Sequence, residues 1–313
     1  MRGLTVTDSI LARARRQVVR DLGERYFGSP ELTLFSELRD LGMGVSDEAL
    51  IGRAAGRPLK DVTAREVSDR LKRLYVPANA VLALAGNLEG VDLRALVRGL
   101  FDDIPGGSAL REPPAPSLTG ATRAVRRASL DQPLGAVGVI APAITDSLHP
   151  YFYLSSLVIG RYCEEAWGKA PAPLPARFRY PVLADPQIVQ FFPPVRPDAP
   201  DPEEMGNLLL DAVETLAGSV VEPAMFEELR VNHAWVLGGP LTPPLRERVR
   251  QHAGTLQTLA SSMALRALWG SEAFWATYRQ HFMDSRLTGG DDWIVPFQTP
   301  QRQIRLLLTP AKR

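Results

Sequence analysis

The side chains most able to do chemistry in this sequence are four histidines, His149, His233, His252 and His281, and a single cysteine, Cys163. A hydrolytic zinc ion needs three protein ligands and a nearby base, and the usual nucleus is two histidines one helical turn apart. No two of these histidines stand four residues apart, so a His-x-x-Glu-His zinc helix is excluded from this sequence. His233 shares a helical face with Phe226, Leu229 and Val236, and His252 shares one with Leu245, Val249, Leu256, Leu259 and Met263. In a helical hairpin about Gly238-Gly239-Pro240 the two imidazoles would lie near the loop and could face each other as a metal or acid–base pair. Neither stripe offers a carboxylate, so a satisfied buried pair is the better reading. His281 and Asp284 have ligand-like i,i+3 spacing without a third ligand, and they read as a solvent-facing pair at a helix end. Glu164 and Glu165 are adjacent and point apart on a helix. Cys163 is too solitary for a disulfide framework or a thiolate cluster and reads as a buried free thiol. No catalytic residue, metal site or cofactor is assigned.

These residues are carried by elements that the pattern makes visible. Leu11, Ala14, Val18, Leu22 and Tyr26 recur at helical steps over Asp8–Tyr26. Thr63 and Glu66 form a capping box, with Val62 and Val67 as the flanking staple, so a helix starts there. Val81–Ala85, closed by Gly86-Asn87, reads as a short buried strand, and Leu93–Phe101 as an amphipathic helix. Met1–Pro105 offers no second strand of comparable strength, so the partner of that strand must come from elsewhere. Past a Pro/Gly-rich stretch, Gly135–Ala141 and Ile188–Phe192 read as buried strands and Ser147–Trp167 as a helix. Asp201 caps a helix with Pro202 in its first turn. Further helices are expected over Pro223–Leu237, Pro244–Leu268 and Glu272–Phe282, and a strand over Gln303–Thr309. Strands and helices do not alternate as regular βαβ units, so the fold class is α+β. The domains are expected at 1–107 and 120–313, with a linker at 108–119.

Three phrases in order carry a resemblance: Gly56-Arg57-Pro58-Leu59-Lys60-Asp61-Val62-Thr63, then Leu74-Tyr75-Val76-Pro77-Ala78-Asn79, then Leu84-Ala85-Gly86-Asn87. Phe101-Asp102-Asp103-Ile104-Pro105 follows, then Asp131-Gln132-Pro133, Pro202–Leu237 and Thr299–Pro310. In this order they resemble the insulinase-type (pitrilysin, M16) zinc peptidases over nearly the whole chain. The resemblance implies M16-like α+β domains with a mixed or antiparallel sheet and a peptide-sized chamber between subunits. The segment before Gly56 matches the family downstream of its zinc helix, so the first domain is expected to be partial, its second half only. The chain is then a shortened homologue or part of a longer or split protein. Where the family contributes an arginine and a tyrosine to bound peptide, this sequence has Arg177-Phe178-Arg179-Tyr180, with the family's spacing lost and a Pro-rich stretch beside it. That segment is the candidate substrate-binding site, against the plainer reading of an edge strand with solvated arginines.

The function expected is that of a non-catalytic peptidase-like subunit that binds peptide or shapes a chamber with a zinc-bearing homologue, as a heterodimer or a homodimer. The alternatives are a scaffold repurposed for a small molecule and a homodimeric assembly module. With a formal net charge of +1, no overall field draws the chain to nucleic acid or an anionic membrane. No stretch reaches the ~20 apolar residues that cross a bilayer. The arginine-bearing N-terminus reads as a helix and not a signal peptide, which leaves the cytoplasm as the expected location. Arginine far outnumbers the lysines Lys60, Lys72, Lys169 and Lys312, which points to a GC-rich bacterial genome. Because spaced ligands and a base are missing, the purified protein should hold no stoichiometric zinc and cleave no peptide by itself. Elemental analysis and a chelator-sensitive peptide assay check this, and one tight zinc per chain would contradict it.

Overall fold

The computed structural model describes residues 5–28, 30–43, 53–54, 57–109, 118–127, 130–168, 177–179, 188–195, 201–217, 223–244, 246–247, 253–285 and 295–310. The helices are α1 (Asp8–Gly28), α2 (Pro30–Gly42), α3 (Ala64–Leu74), α4 (Leu93–Phe101), α5 (His149–Trp167), α6 (Pro202–Ala217), α7 (Pro223–Ala234), α8 (Ala253–Trp269), α9 (Glu272–Asp284) and α10 (Val295–Gln298). The strands are β1 (Arg53–Ala54), β2 (Arg57–Pro58), β3 (Ala121–Arg127), β4 (Leu134–Ile140), β5 (Arg177–Arg179), β6 (Ile188–Phe192) and β7 (Gln303–Pro310). The chain divides into two compact units, one of Met1–Leu22, Ala49–Pro114 and Val236–Trp275, the other of Gly23–Glu48, Ala115–Trp235 and Ala276–Arg313. Among the described residues, no helix is long and apolar enough to cross a membrane.

The second unit is built on a five-stranded mixed sheet in the order β3-β7-β4-β6-β5. β7 runs parallel to β3 and antiparallel to β4, with Leu134 opposite Leu308 and Ala136 opposite Leu306. Alternation along the strands sorts side chains between two faces. One face packs Ala136, Ile188, Phe192, Ile304, Leu306 and Leu308 against Leu34 and Leu38 of α2. The other buries Val137, Val139, Val189, Phe191 and Leu307 with Phe152 of α5 and Met205 and Leu209 of α6. Glycine is required where α2 sits, since a Cβ at Gly138 would lie 2.8 Å from Ile188 and 2.9 Å from Leu38. It is required again at Gly206 of α6, where a Cβ would fall 2.4 Å from Arg305 Nε. That guanidinium donates to Gln303 Oε1 and pairs with Glu203. Asp201 Oδ1 accepts from the Glu203 amide at 2.9 Å, the cap expected for α6.

In the first unit the capping box of α3 is complete. Glu66 N donates to Thr63 Oγ1 at 3.2 Å, and Thr63 N donates to Glu66 Oε2 at 2.8 Å. Trp275, 1% exposed, is the largest side chain buried here, and its indole donates to the Arg266 carbonyl at 2.8 Å. Neither α3 nor α4 buries any residue.

The expectation of a buried strand at Val81–Ala85 is overturned. The segment belongs to no sheet, and Val81, Leu82 and Leu84 are 41%, 55% and 38% exposed. Its apolar run still favours strand geometry, yet no described strand of this unit lies beside it to complete a ladder. Elsewhere the expected strands and helices are found among the described residues, the helix expected over Pro244–Leu268 being described from Ala253 on, while α2, β3 and the short β1–β2 pair were not foreseen. Replacing Thr63 and Glu66 together by alanine should lower stability by about 1 to 2 kcal/mol, because two helix-start N–H groups lose their acceptors. A shift of the denaturant midpoint in the double variant measures it, and an unchanged midpoint would show that the box contributes nothing.

Candidate functional site

The segment expected to touch substrate begins as the edge strand of the second unit's sheet. Arg177, Phe178 and Arg179 form β5, paired antiparallel with Phe192, Phe191 and Gln190 of β6. Tyr180 lies outside the described residues. β5 stands last in the described strand order, beside β6. Opposite Arg179, the Gln190 side chain is 1% exposed and, among the described residues, its Oε1 has no hydrogen-bond partner. A buried amide oxygen without a donor is costly, so this part of the sheet is not fully satisfied by its own polar groups.

His233, in the last turn of α7, is one half of the expected two-histidine pair. Its Nδ1 meets the Tyr153 hydroxyl of α5 at 3.1 Å, with the two rings edge to face at 6.0 Å between centroids. His252 lies outside the described residues. Tyr153 is 2% exposed and stacks at a tilt on Phe282 of α9. A second pair lies on the same helix, with His149 fully buried and its Nδ1 2.5 Å from the Tyr278 hydroxyl of α9. Both contacts bridge residues far apart in sequence, 80 positions for Tyr153–His233 and 129 for His149–Tyr278, so no local pattern announces them. Burial pushes the Tyr153 phenol well above its ordinary range and lowers His233 to about 4. Burial, reinforced by Glu164, also raises the Cys163 thiol. These are groups held neutral, not poised nucleophiles.

The His281 carbonyl accepts from the Ser285 amide at 2.9 Å and from its hydroxyl at 2.7 Å, so this stretch is occupied in closing α9. Among the described residues no group of three or more histidine, cysteine, aspartate or glutamate side chains is placed to hold a metal ion. The first unit has an open groove of about 820 Å³, where Leu11, Ala14 and Val18 of α1 face Val62 and Val67. Arg15 crosses it and donates to the Val62 carbonyl. Glu66, Asp69, Arg70 and Arg73 also line it, so the groove mixes apolar and charged side chains.

Residues 61–166 match the family described as Peptidase M16 inactive domain. No curated protein matches the sequence. Among solved structures, a protease from Helicobacter pylori superposes with a TM-score of 0.68 at 16% identity, covering 98% of this chain and 73% of that one. The peptidase M16 inactive domain from Pseudomonas fluorescens gives a TM-score of 0.66 at 14% identity, with coverages of 99% and 72%. The first half of the periplasmic protease PqqL from Escherichia coli gives 0.62 at 12% identity, with coverages of 97% and 67%. At these identities the likeness shows the fold: α+β, built as in M16-like peptidases.

The lowered pKa of His233 fixes a sign. The unfolded chain takes up a proton on this imidazole below about 6.5 while the folded chain resists until about 4, so acid favours unfolding across that window. Stability should therefore fall by about 2 to 3 kcal/mol between pH 7 and pH 4 on account of this group. A His233→Gln variant, which keeps a partner for Tyr153 and cannot titrate, should lose that part of the slope. Denaturant midpoints at pH 7, 5.5 and 4.5 decide it, and parallel profiles for the two proteins would contradict it.

Proposed function

From a chain that is M16 peptidase-like in fold, carries an inactive-domain sequence and has no His-x-x-Glu-His, we propose a non-catalytic subunit of a peptidase-like assembly. It shapes part of a peptide-sized chamber beside a zinc-bearing homologue. The observation that carries the reading is in the second unit. It keeps a packed M16-like scaffold while histidines and tyrosines of its interior are spent on one another, the buried His149 with Tyr278 and Tyr153 with the half-buried His233. A scaffold retained with its titratable groups tied up supports a role in binding and shaping and not in turnover.

Within the chamber, the Arg177-Phe178-Arg179-Tyr180 segment holds extended peptide. An edge strand offers main-chain donors and acceptors to a second strand, and guanidinium groups hold peptide carbonyls. Location follows that of the partner, with the cytoplasm as the working expectation. Tagged protein recovered from its native host should bring with it a peptide-cleaving activity that a chelator abolishes. The tagged chain alone should show none. Replacing Arg177 and Arg179 by alanine should leave recovery of the partner intact and raise KM for peptide by about tenfold, the loss of one or two charged hydrogen bonds. Recovery with no associated peptidase, or cleavage by the chain alone, would overturn the assignment.

A further inference from the structure

The first unit's groove of about 820 Å³ has the size of a small-molecule site, and the peptide-holding segment, which belongs to the second unit, makes no use of it. Its floor is apolar. Leu11, Ala14 and Val18 recur at steps of three and four along α1 and line it with Leu59, Val62 and Val67. Val18, 41% exposed, leaves part of that floor in contact with water. The main-chain partners of the walls are already taken. α1 and α3 pair their backbone groups along the helix, Val62 N donates to the Leu59 carbonyl, and the Val62 carbonyl accepts from Arg15. Such walls give an extended peptide no ladder to join. They suit a molecule that asks for apolar contact along its length and for charge at one end.

That charge is negative, because the groove is cationic. Arg15, Arg70 and Arg73 line it with Glu66 and Asp69, so one positive charge is in excess. Both acids are engaged: Glu66 Oε2 accepts from Thr63 N and Oγ1, and Asp69 lies 3.8 Å from Arg65. The arginines keep capacity to spare. Among the described residues the side chains of Arg70 and Arg73 make no ion pair or hydrogen bond, and Arg15 Nε is buried without an acceptor. A buried donor of this kind is a cost that an arriving anion removes. The excess extends beyond the lining. α1 carries five arginines against Asp8, Asp21 and Glu24, α3 carries four cations against Glu66 and Asp69, and Lys60 and Asp61 ahead of α3 cancel.

We infer that this groove binds an unesterified acyl carboxylate, its tail along Leu11, Ala14 and Val18 and its head among Arg15, Arg70 and Arg73. The planar carboxylate matches the guanidinium fork, and the single excess charge matches a monoanion. A phosphate monoester, with a charge of about −1.5 to −2 at neutral pH, exceeds it. Leu11 to Val18 covers about 10 Å of helix, the reach of a medium-chain tail.

Calorimetric titration of the purified 313-residue chain with decanoate at neutral pH, below its micelle concentration, should give one site per chain with a Kd of roughly 10 to 100 µM. Decyltrimethylammonium, with the same tail and the opposite charge, should bind at least about tenfold more weakly. Acetate, a head without a tail, should give no heat, and decyl phosphate should bind no tighter than decanoate. Arg70→Gln with Arg73→Gln should weaken decanoate by at least about tenfold, and Val18→Asp should do the same by setting a charge in the apolar floor. Should Val18→Asp fail to fold, the arginine pair decides alone. No saturable binding of decanoate up to about 1 mM overturns the inference, as does equal affinity for decyltrimethylammonium. A decanoate site that both variants leave unchanged overturns it too. Tighter binding of decyl phosphate would put a phosphate in the carboxylate's place. Binding to anionic phospholipid vesicles or to an acidic amphipathic peptide, with none to decanoate, would make the groove a docking surface for a larger partner, and either result overturns the acyl carboxylate.

Discussion

The ladder on both sides of β7 is the constraint on which the second unit depends. This strand, Gln303–Pro310, is held parallel by β3 on one edge and antiparallel by β4 on the other, so every other strand of the sheet is placed by reference to it. Its alternation divides the interior, with Ile304, Leu306 and Leu308 toward α2 and Leu307 toward α5 and α6. A slip by one residue would send three branched side chains to the wrong layer. Arg305 enforces the same register from the α6 side, where it reaches Glu203 across the space left by Gly206.

The two units stand in contrast because, among the described residues, the first has no such strand. In the second, buried backbone groups find partners within the sheet and apolar residues fill both layers. In the first, α3 is well started by its capping box yet buries nothing, and Val81–Ala85 has the side chains of a strand without its hydrogen bonds. Local propensity and tertiary satisfaction have come apart here. Helix caps depend on residues three positions apart, whereas a ladder depends on a second segment, and no described strand of this unit supplies one.

That difference also explains what could be read in the sequence. The box at Thr63 and Glu66, the cap at Asp201, the apolar runs of β4 and β6 and the alternation of β7 are local signals, and the structure follows them. β3 was missed because arginines 123, 126 and 127 interrupt its apolar residues. It is a strand because β7 runs beside it over seven residue pairs, from Ala121–Ile304 to Arg127–Pro310. Burial at Val81–Ala85 was misjudged for the complementary reason, since composition reports which side chains suit an interior and not whether an interior is supplied. The candidate histidines show the same limit. The face shared by His233 with apolar residues was legible, but its partner Tyr153 lies on a helix that no spacing rule connects to it.

Cys163 sits wholly buried in the α5 layer, among side chains contributed by β4, β6, α6 and β7, with its thiol proton held tightly by burial and by Glu164. As the chain's one sulfhydryl, it has the qualities of an internal clock. A thiol-reactive dye in water has no route to it while the layer is closed, and the thiolate is scarce even where a route opens. Its rate of labelling therefore counts the opening of that layer and is silent about fraying elsewhere. The wild-type chain thus carries its own reporter on the stability of the second unit, with no engineered probe to disturb the packing being measured.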